Sequence, residues 1–182
     1  MMGILDPATW SGKVYVDGWR AGAGGTQAVV EPATGERIGE IGLASPDDVY
    51  SAAESAATAQ RQWASAKPSE RAAVLRRAGM LFEEHAEEIS TWLTKSGSIA
   101  PKVDLELHTA AIECYEAAGL PGHPHGDVLT SDEDHWSFAR RRPAGVVSVI
   151  APFNFPIVLS IRSVAPALAL GNAVLLKPDP RT

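Results

Sequence analysis

The sequence predicts an α/β protein in which hairpins and helices precede the start of a parallel sheet. Two observations carry this. The hydrophobic period is two from Lys13 to Ile41, becomes helical from Ser45 to Gly119, and returns to two after Gly126. Residues 145–177 then read strand, helix, strand, with two short β-branched runs flanking a long apolar helix. The 182 residues, 45% hydrophobic and 21% charged, are enough for one domain with a real core or for a piece of a larger enzyme.

The first third opens with hairpins. Lys13 to Val16 and Trp19 flank Asp17-Gly18, a dipeptide suited to a two-residue turn with positive φ at both central positions. A second pair, Ala28 to Glu31 and Glu36 to Ile41, brackets Pro32-Ala33-Thr34-Gly35, where Pro presets φ and Gly accepts the left-handed corner. Gly22-Ala23-Gly24-Gly25 between them reads as a flexible loop whose spacing matches no phosphate-binding fingerprint.

Three helices are expected next. Ser45-Pro46-Asp47-Asp48 combines a hydroxyl cap, Pro at the first helical position and acids at the positive dipole end. Val49, Ala52, Ala53, Ala56, Ala57 and Trp63 form a narrow, Ala-rich stripe suited to close approach by another element. A second helix starts at Pro68-Ser69-Glu70, runs its stripe through Leu75, Ala78, Leu81, Phe82, His85, Ile89 and Leu93, and ends at Gly97. His85 reads as a packed or edge residue on that stripe. The third helix follows Pro101, with Val103, Leu107, Ala110, Cys114 and Ala118 at helical spacing, and stops at Gly119 and Pro121. Cys114 falls on the buried face, where a thiol behaves as a small hydrophobe and not as a nucleophile.

After Gly126, Asp127 to Thr130 and His135 to Arg142 read as paired strands around an acidic tip, Asp132-Glu133-Asp134. Arg140-Arg141-Arg142 reads as a solvated or interface edge, and His123-Pro124-His125 as a loop with two incidental histidines and no third metal ligand. Gly145-Val-Val-Ser-Val-Ile-Ala151 suits a parallel strand covered on both faces. Pro152 to Pro156 is a tight turn. Ile157 to Leu170 reads as a helix that Pro166 should bend or re-cap, and Gly171-Asn172 closes it. Ala173 to Lys177 is the second strand, so the unit is βαβ with a right-handed crossover.

Composition excludes several function classes. Net charge is -6 and the pI about 5.3, so no basic excess exists to meet a nucleic-acid backbone, and nucleic acid is not the expected partner. The single cysteine excludes an internal disulfide framework and a Cys-based zinc cage, which fits a reducing, cytoplasmic compartment. Met1 to Trp10 shows no signal peptide, and no apolar run reaches the roughly 18 residues of a membrane span.

The topology locates the chemistry. Ligands of open parallel sheets bind beyond the carboxyl ends of the strands. Asn154 lies past the first strand and Lys177 ends the second. The Asn amide is an uncharged donor, useful where negative charge develops on an oxygen. A lysine at the end of the second strand can donate to ribose hydroxyls without repelling a 2′-phosphate. The competing readings are a turn-forming Asn154 and an edge Lys177.

The combined strings are more specific than either residue. Pro143-Ala-Gly-Val-Val-Ser-Val-Ile-Ala-Pro-Phe-Asn-Phe-Pro156 and Ala165-Pro-Ala-Leu-Ala-Leu-Gly-Asn-Ala-Val-Leu-Leu-Lys-Pro178 closely resemble the aldehyde dehydrogenase superfamily. Lys177-Pro-Asp-Pro-Arg-Thr182 resembles its benzaldehyde dehydrogenase branch, and the hairpins, the Pro32-Ala-Thr-Gly-Glu36 turn and the helix order extend the resemblance over the whole chain. The resemblance implies the amino-terminal part of that fold, a Rossmann-like sheet begun by one βαβ unit. Its expected divisions are residues 1–122 as the first part of the cofactor domain, 123–143 as a bridging hairpin for subunit association, and 144–182 as the first βαβ.

By the same resemblance, Asn154 is the oxyanion-hole donor; Ile150, Ala151, Pro152 and Phe153 border the nicotinamide ribose; Lys177 and Asp179 serve the cofactor; and Leu159 and Arg162 line an aldehyde tunnel. Pro180 stands where family members often have Glu, which leaves NAD against NADP open, and Ser163 replaces a usual Lys, which alters the tunnel charge. The family reaction also uses a cysteine thiolate, a water-activating glutamate and a Gly-rich pyrophosphate turn, all expected downstream of Lys177. The chain is therefore expected to be the amino-terminal piece of a longer enzyme acting on a small aromatic aldehyde. Alone it should be inactive, bind cofactor weakly or not at all, and associate with further copies through the hairpin after Gly126 or exposed sheet edges. The alternative is a short non-catalytic scaffold for nucleotide binding or subunit association.

Overall fold

The computed structural model describes residues 3–132 and 134–180. Met1 and Met2 of the start, Glu133 of the acidic tip and Arg181-Thr182 of the closing motif lie outside the described residues. A short helix that the sequence reading missed, α1 (Pro7–Trp10), starts the fold, its first turn capped by Asp6 Oδ1, which accepts the Ala8 N–H at 2.9 Å. Strands β1 (Lys13–Tyr15) and β2 (Trp19–Ala21) pair antiparallel around Asp17 (φ 51°) and Gly18 (φ 122°), the conformation expected of that dipeptide. Strands β3 (Thr26–Val30) and β4 (Arg37–Gly42) form the second hairpin, with a bulge at Val29/Val30.

The loop between the hairpins is tethered, not free. Gly24 donates to the Leu43 carbonyl at 2.9 Å, Leu43 donates to Gly25 at 2.8 Å, and Ala23 donates to Asp48 Oδ2 at 2.7 Å. A Cβ on Gly22 would stand 2.2 Å from the Leu43 oxygen, so glycine there reflects close backbone contact.

Helix α2 (Pro46–Ser65) begins at the expected Ser45 cap, which Asp48 completes as a capping box. The Ser45 and Ala23 backbone N–H groups bonded to Asp48 hold its carboxyl below the usual carboxylate range. No α2 residue is fully buried. Val49 is exposed and the four alanines of the stripe are half-buried, because α2 lies on the last two strands and not within a helical core.

The expected helix from Pro68 to Gly97 is two helices, α3 (Pro68–Glu84) and α4 (Ala86–Lys95), broken at His85, whose backbone leaves the helical region at φ -112°, ψ 19°. Beyond the break Glu88 accepts the N–H groups of Ile4 (3.1 Å) and Leu5 (2.8 Å), a tertiary anchor that periodicity within one helix does not encode. Helix α5 (Ala100–Ala117) follows, then a short 3₁₀ turn at Leu120–Gly122. Strands β5 (Gly126–Leu129) and β6 (Ser137–Arg140) pair antiparallel; β5 starts one residue before the expected Asp127–Thr130, and β6 is shorter than the expected His135–Arg142.

The last unit is the expected βαβ: β7 (Val146–Ile150), α6 (Pro156–Ala169) and β8 (Ala173–Lys177), the strands parallel in register from Val146↔Ala173 to Ile150↔Lys177. Helix α6 continues through Pro166 without a second cap, since proline removes only one donor there. It ends in a Schellman closure, with Gly171 at φ 86° and Asn172 N–H donating to the Ala167 carbonyl at 3.0 Å.

Helix α5 is the spine. Ala117 and Ala118 pack with Ala72 and Leu75 of α3 and Ala165 and Ala169 of α6. At its other end, Val103 and Leu107 pack with Ile89 and Leu93 of α4 and with Ile157 of α6. Such small residues let helices approach closely; a Cβ on Gly79 would stand 2.5 Å from the Tyr115 ring.

Arg71 is buried between the ends of two helices. Its Nε donates to the Ala169 carbonyl at 3.0 Å, and Nη1 donates to the Ala66 carbonyl and, at 3.4 Å, to Ala64. It thereby satisfies orphan carbonyls at the C-termini of α2 and α6. Arg71→Leu is expected to cost about 3 kcal/mol by leaving these acceptors buried without a donor. Urea unfolding checks this, and an unchanged midpoint would mean that water replaces the guanidinium.

Candidate active site

Strands β7 and β8 end level with each other, and the Ala151 N–H donates to the Lys177 carbonyl at 3.0 Å, one bond past the ladder. Ala151 is buried, whereas Ile150 (75% exposed), Pro152, Phe153 and Asn154 face outward. Lys177 is exposed at the end of β8, and Asp179 is half-buried two residues later. The structure thus brings Ile150, Ala151 and Lys177 together at paired strand ends, and puts Asn154 in the turn that carries the chain into α6. The Asn154 amide makes no hydrogen bond with the described residues, so its donor is available to a ligand.

Leu159 is half-buried one turn into α6. Arg162, further along the same helix, donates from Nε to Glu113 Oε1 of α5 at 2.9 Å. The guanidinium charge is therefore balanced across the α5–α6 seam, whatever Ser163 removes from that surface.

Several residues that support this turn were absent from the sequence reading. Phe155, the N-cap of α6, makes no side-chain cap. The Ile157 N–H donates instead to Glu106 Oε2 of α5 at 3.0 Å, and Glu106 is fully buried. Lys102, one turn earlier on α5, stands 3.5 Å from Glu106 Oε1 and 5.2 Å from the centre of the Phe155 ring. A signal existed: Glu106 interrupts the apolar face of Val103, Leu107 and Ala110, and a carboxylate on a buried face requires a partner. At the other end of β7, Asn172 Oδ1 accepts the Gly145 N–H at 3.0 Å while its Nδ2 donates to Ala167 at 3.0 Å.

Cys114 is buried in α5, as expected, and burial, with the Glu113 carboxylate beside it, pushes its thiol up to about 11. His123 and His125 are exposed, and among the described residues no three His, Cys, Asp or Glu side chains gather to hold a metal. No helix among the described residues is long and apolar enough to cross a membrane.

Residues 19–182 match the model of the aldehyde dehydrogenase family. The chain belongs to that family. A vanillin dehydrogenase of Amycolatopsis sp. is 60% identical over 182 residues, all of this chain and 37% of that protein. A benzaldehyde dehydrogenase [NAD(+)] of Pseudomonas putida is 43% identical over 95% of the chain and 36% of its own length. Among solved structures, an NAD-dependent benzaldehyde dehydrogenase from Corynebacterium glutamicum superimposes with a TM-score of 0.90 at 41% identity, covering 98% of this chain and 39% of that one. The chain therefore spans little more than a third of the length of these aldehyde dehydrogenases, and its α/β architecture is that of their fold.

The geometry at Cys114 has a direct readout. At pH 8 a thiol that stays neutral until about 11 is expected to react with a disulfide reagent far more slowly in the native chain than after denaturation. Equal rates in the two states would show that α5 does not seal it.

Proposed function

We propose that the chain supplies the oxyanion-stabilising amide and the first βαβ of the cofactor sheet to an NAD(P)-dependent aldehyde dehydrogenase that oxidises an aromatic aldehyde to its carboxylic acid. The observation that carries this is an exposed Asn154 amide without a partner among the described residues, in the turn directly beyond the paired ends of β7 and β8. The names of the relatives support the substrate class, since vanillin and benzaldehyde are both aromatic aldehydes.

The residues at the strand ends fit a nucleotide cofactor in their chemistry. Ile150, Pro152 and Phe153 offer an exposed apolar shelf for a flat ring and its ribose, and Lys177 an ammonium for hydroxyls or phosphate. Lys177 serves NAD and NADP alike, and Asp179 adds a carboxylate to the same margin. When bound, the nicotinamide supplies a hydride acceptor. The task of Asn154 is to donate from Nδ2 to the aldehyde oxygen as negative charge gathers on it, and a donor already fixed in place gains most when water is excluded. Leu159 and Arg162 border the approach of the aldehyde along α6.

The nucleophile is not Cys114. A thiol neutral until about 11 and sealed in α5 cannot attack at neutral pH, so the 182 residues by themselves are expected to be inactive and to bind cofactor weakly. On this reading residues 1–122 begin the cofactor domain, 123–143 form an association hairpin, and 144–182 start the dinucleotide-binding sheet of a cytoplasmic oligomer. The hairpin presents exposed Val128 and Leu129 on β5, and Trp136 stacked on Phe138 at 6.3 Å, as an apolar surface for a second subunit.

In a complete aldehyde dehydrogenase carrying this segment, Asn154→Ala is expected to lower kcat by about 10² to 10³, or ~3 kcal/mol of lost charge stabilisation. A loss below about fivefold in a folded protein would assign that task to another donor. Lys177→Ala should raise the cofactor KM more than it lowers kcat, as for an interaction made equally in ground and transition states, and the reverse pattern would count against the ribose assignment. Higher kcat/KM for aliphatic aldehydes than for benzaldehyde and vanillin would refute the aromatic preference.

A further inference from the structure

The amide of Asn154 makes no hydrogen bond with the described residues, so its direction is set by what grips the turn. On the sheet side the grip is Ala151 N–H to the Lys177 carbonyl. On the helix side the local sequence offers nothing: Phe155 does not cap, and Pro156 has no N–H. The first free donor of α6 is the Ile157 N–H, and it is taken by Glu106, a carboxylate from a helix 51 residues away in sequence.

Glu106 is a costly choice for this place. It is 0% exposed, and among the described residues its Oε1 has no hydrogen-bond partner and the one cation beside it is Lys102 at 3.5 Å, an ion pair and not a close contact. A buried carboxylate satisfied so incompletely stabilises the fold less than an apolar side chain of its size would. What it provides instead is a directional acceptor that fixes the first turn of α6 at Ile157, three residues past Asn154, while Lys102 lies over the ring of Phe155, the residue next to Asn154.

We propose that Glu106 is a positioning residue for the Asn154 amide, with Lys102 as its support. The inference rests on the reading of Asn154 as the oxyanion donor. Glu106 touches neither aldehyde nor cofactor; it holds the start of α6 so that the Asn154 donor meets the developing charge, and a misplacement of about 1 Å at such a donor costs up to about 10²-fold in rate.

The test is made in a complete aldehyde dehydrogenase carrying this segment, with conservative variants that separate reach from charge. Glu106→Gln keeps an acceptor at the same reach and is expected to retain kcat within about threefold; Glu106→Asp withdraws the acceptor by one methylene and should lose about tenfold or more, with the cofactor KM unchanged. In the Asn154→Ala background the Glu106→Asp loss should vanish, because a residue that acts through the amide has nothing left to position. An Asp variant within about threefold of wild type, a Gln variant as impaired as the Asp variant, or an Asp loss that persists undiminished without Asn154 each overturns the proposal. If Asn154→Ala itself leaves kcat intact, it is the oxyanion reading that falls, and the two failures are told apart by that single variant.

Discussion

The turn from β7 into α6 is short, so the place of Asn154 depends on the constraint at each end of it. A parallel two-strand ladder holds the near end, and helix α5 holds the far end by accepting the Ile157 N–H on a buried carboxylate. Helices α3, α4 and α6 together make α5 a fixed reference. Its alanines pack with those of α6 and with α3, and its first turns pack on α4. Rigidity here comes from small residues at close quarters, where few rotamers remain to relax and a displaced helix would open voids.

Much of this architecture was legible because it is written in local chemistry. The Asp17-Gly18 turn, the Ser45 cap of α2 and the βαβ pattern each follow from residues near one another in sequence, and each was found where expected. Resemblance to the family's strings extended that reading, and the family match supports it. The failures share one cause. The break at His85, the tethering of the Gly22–Gly25 loop and the half-covered face of α2 are all decided by contacts with segments distant in sequence. A period of 3.6 residues describes one helix's face and contains nothing about what that face meets.

The candidate site divides the same way. The strand-end residues were visible from topology, since β7 and β8 must finish on one edge of a parallel sheet. The supporting groups were not, although Glu106 stood out as a charge on an apolar helical face, Val103 to Ala110. Arg162 shows a further limit of reading a residue by its type: a cation assigned to a tunnel surface is balanced by Glu113 across a helix seam, a pairing that only the packing of α5 on α6 creates.

The amide of Asn172 binds the Gly145 N–H at one end of β7, and the Lys177 carbonyl binds the Ala151 N–H at the other. Sliding β7 by one residue would undo both fastenings together and turn buried Val149 outward in exchange for Ser148. The strand's alignment is thus strongly specified with β8 as its one neighbour among the described residues. Growth of that sheet by further strands would begin from an edge whose phase is already decided.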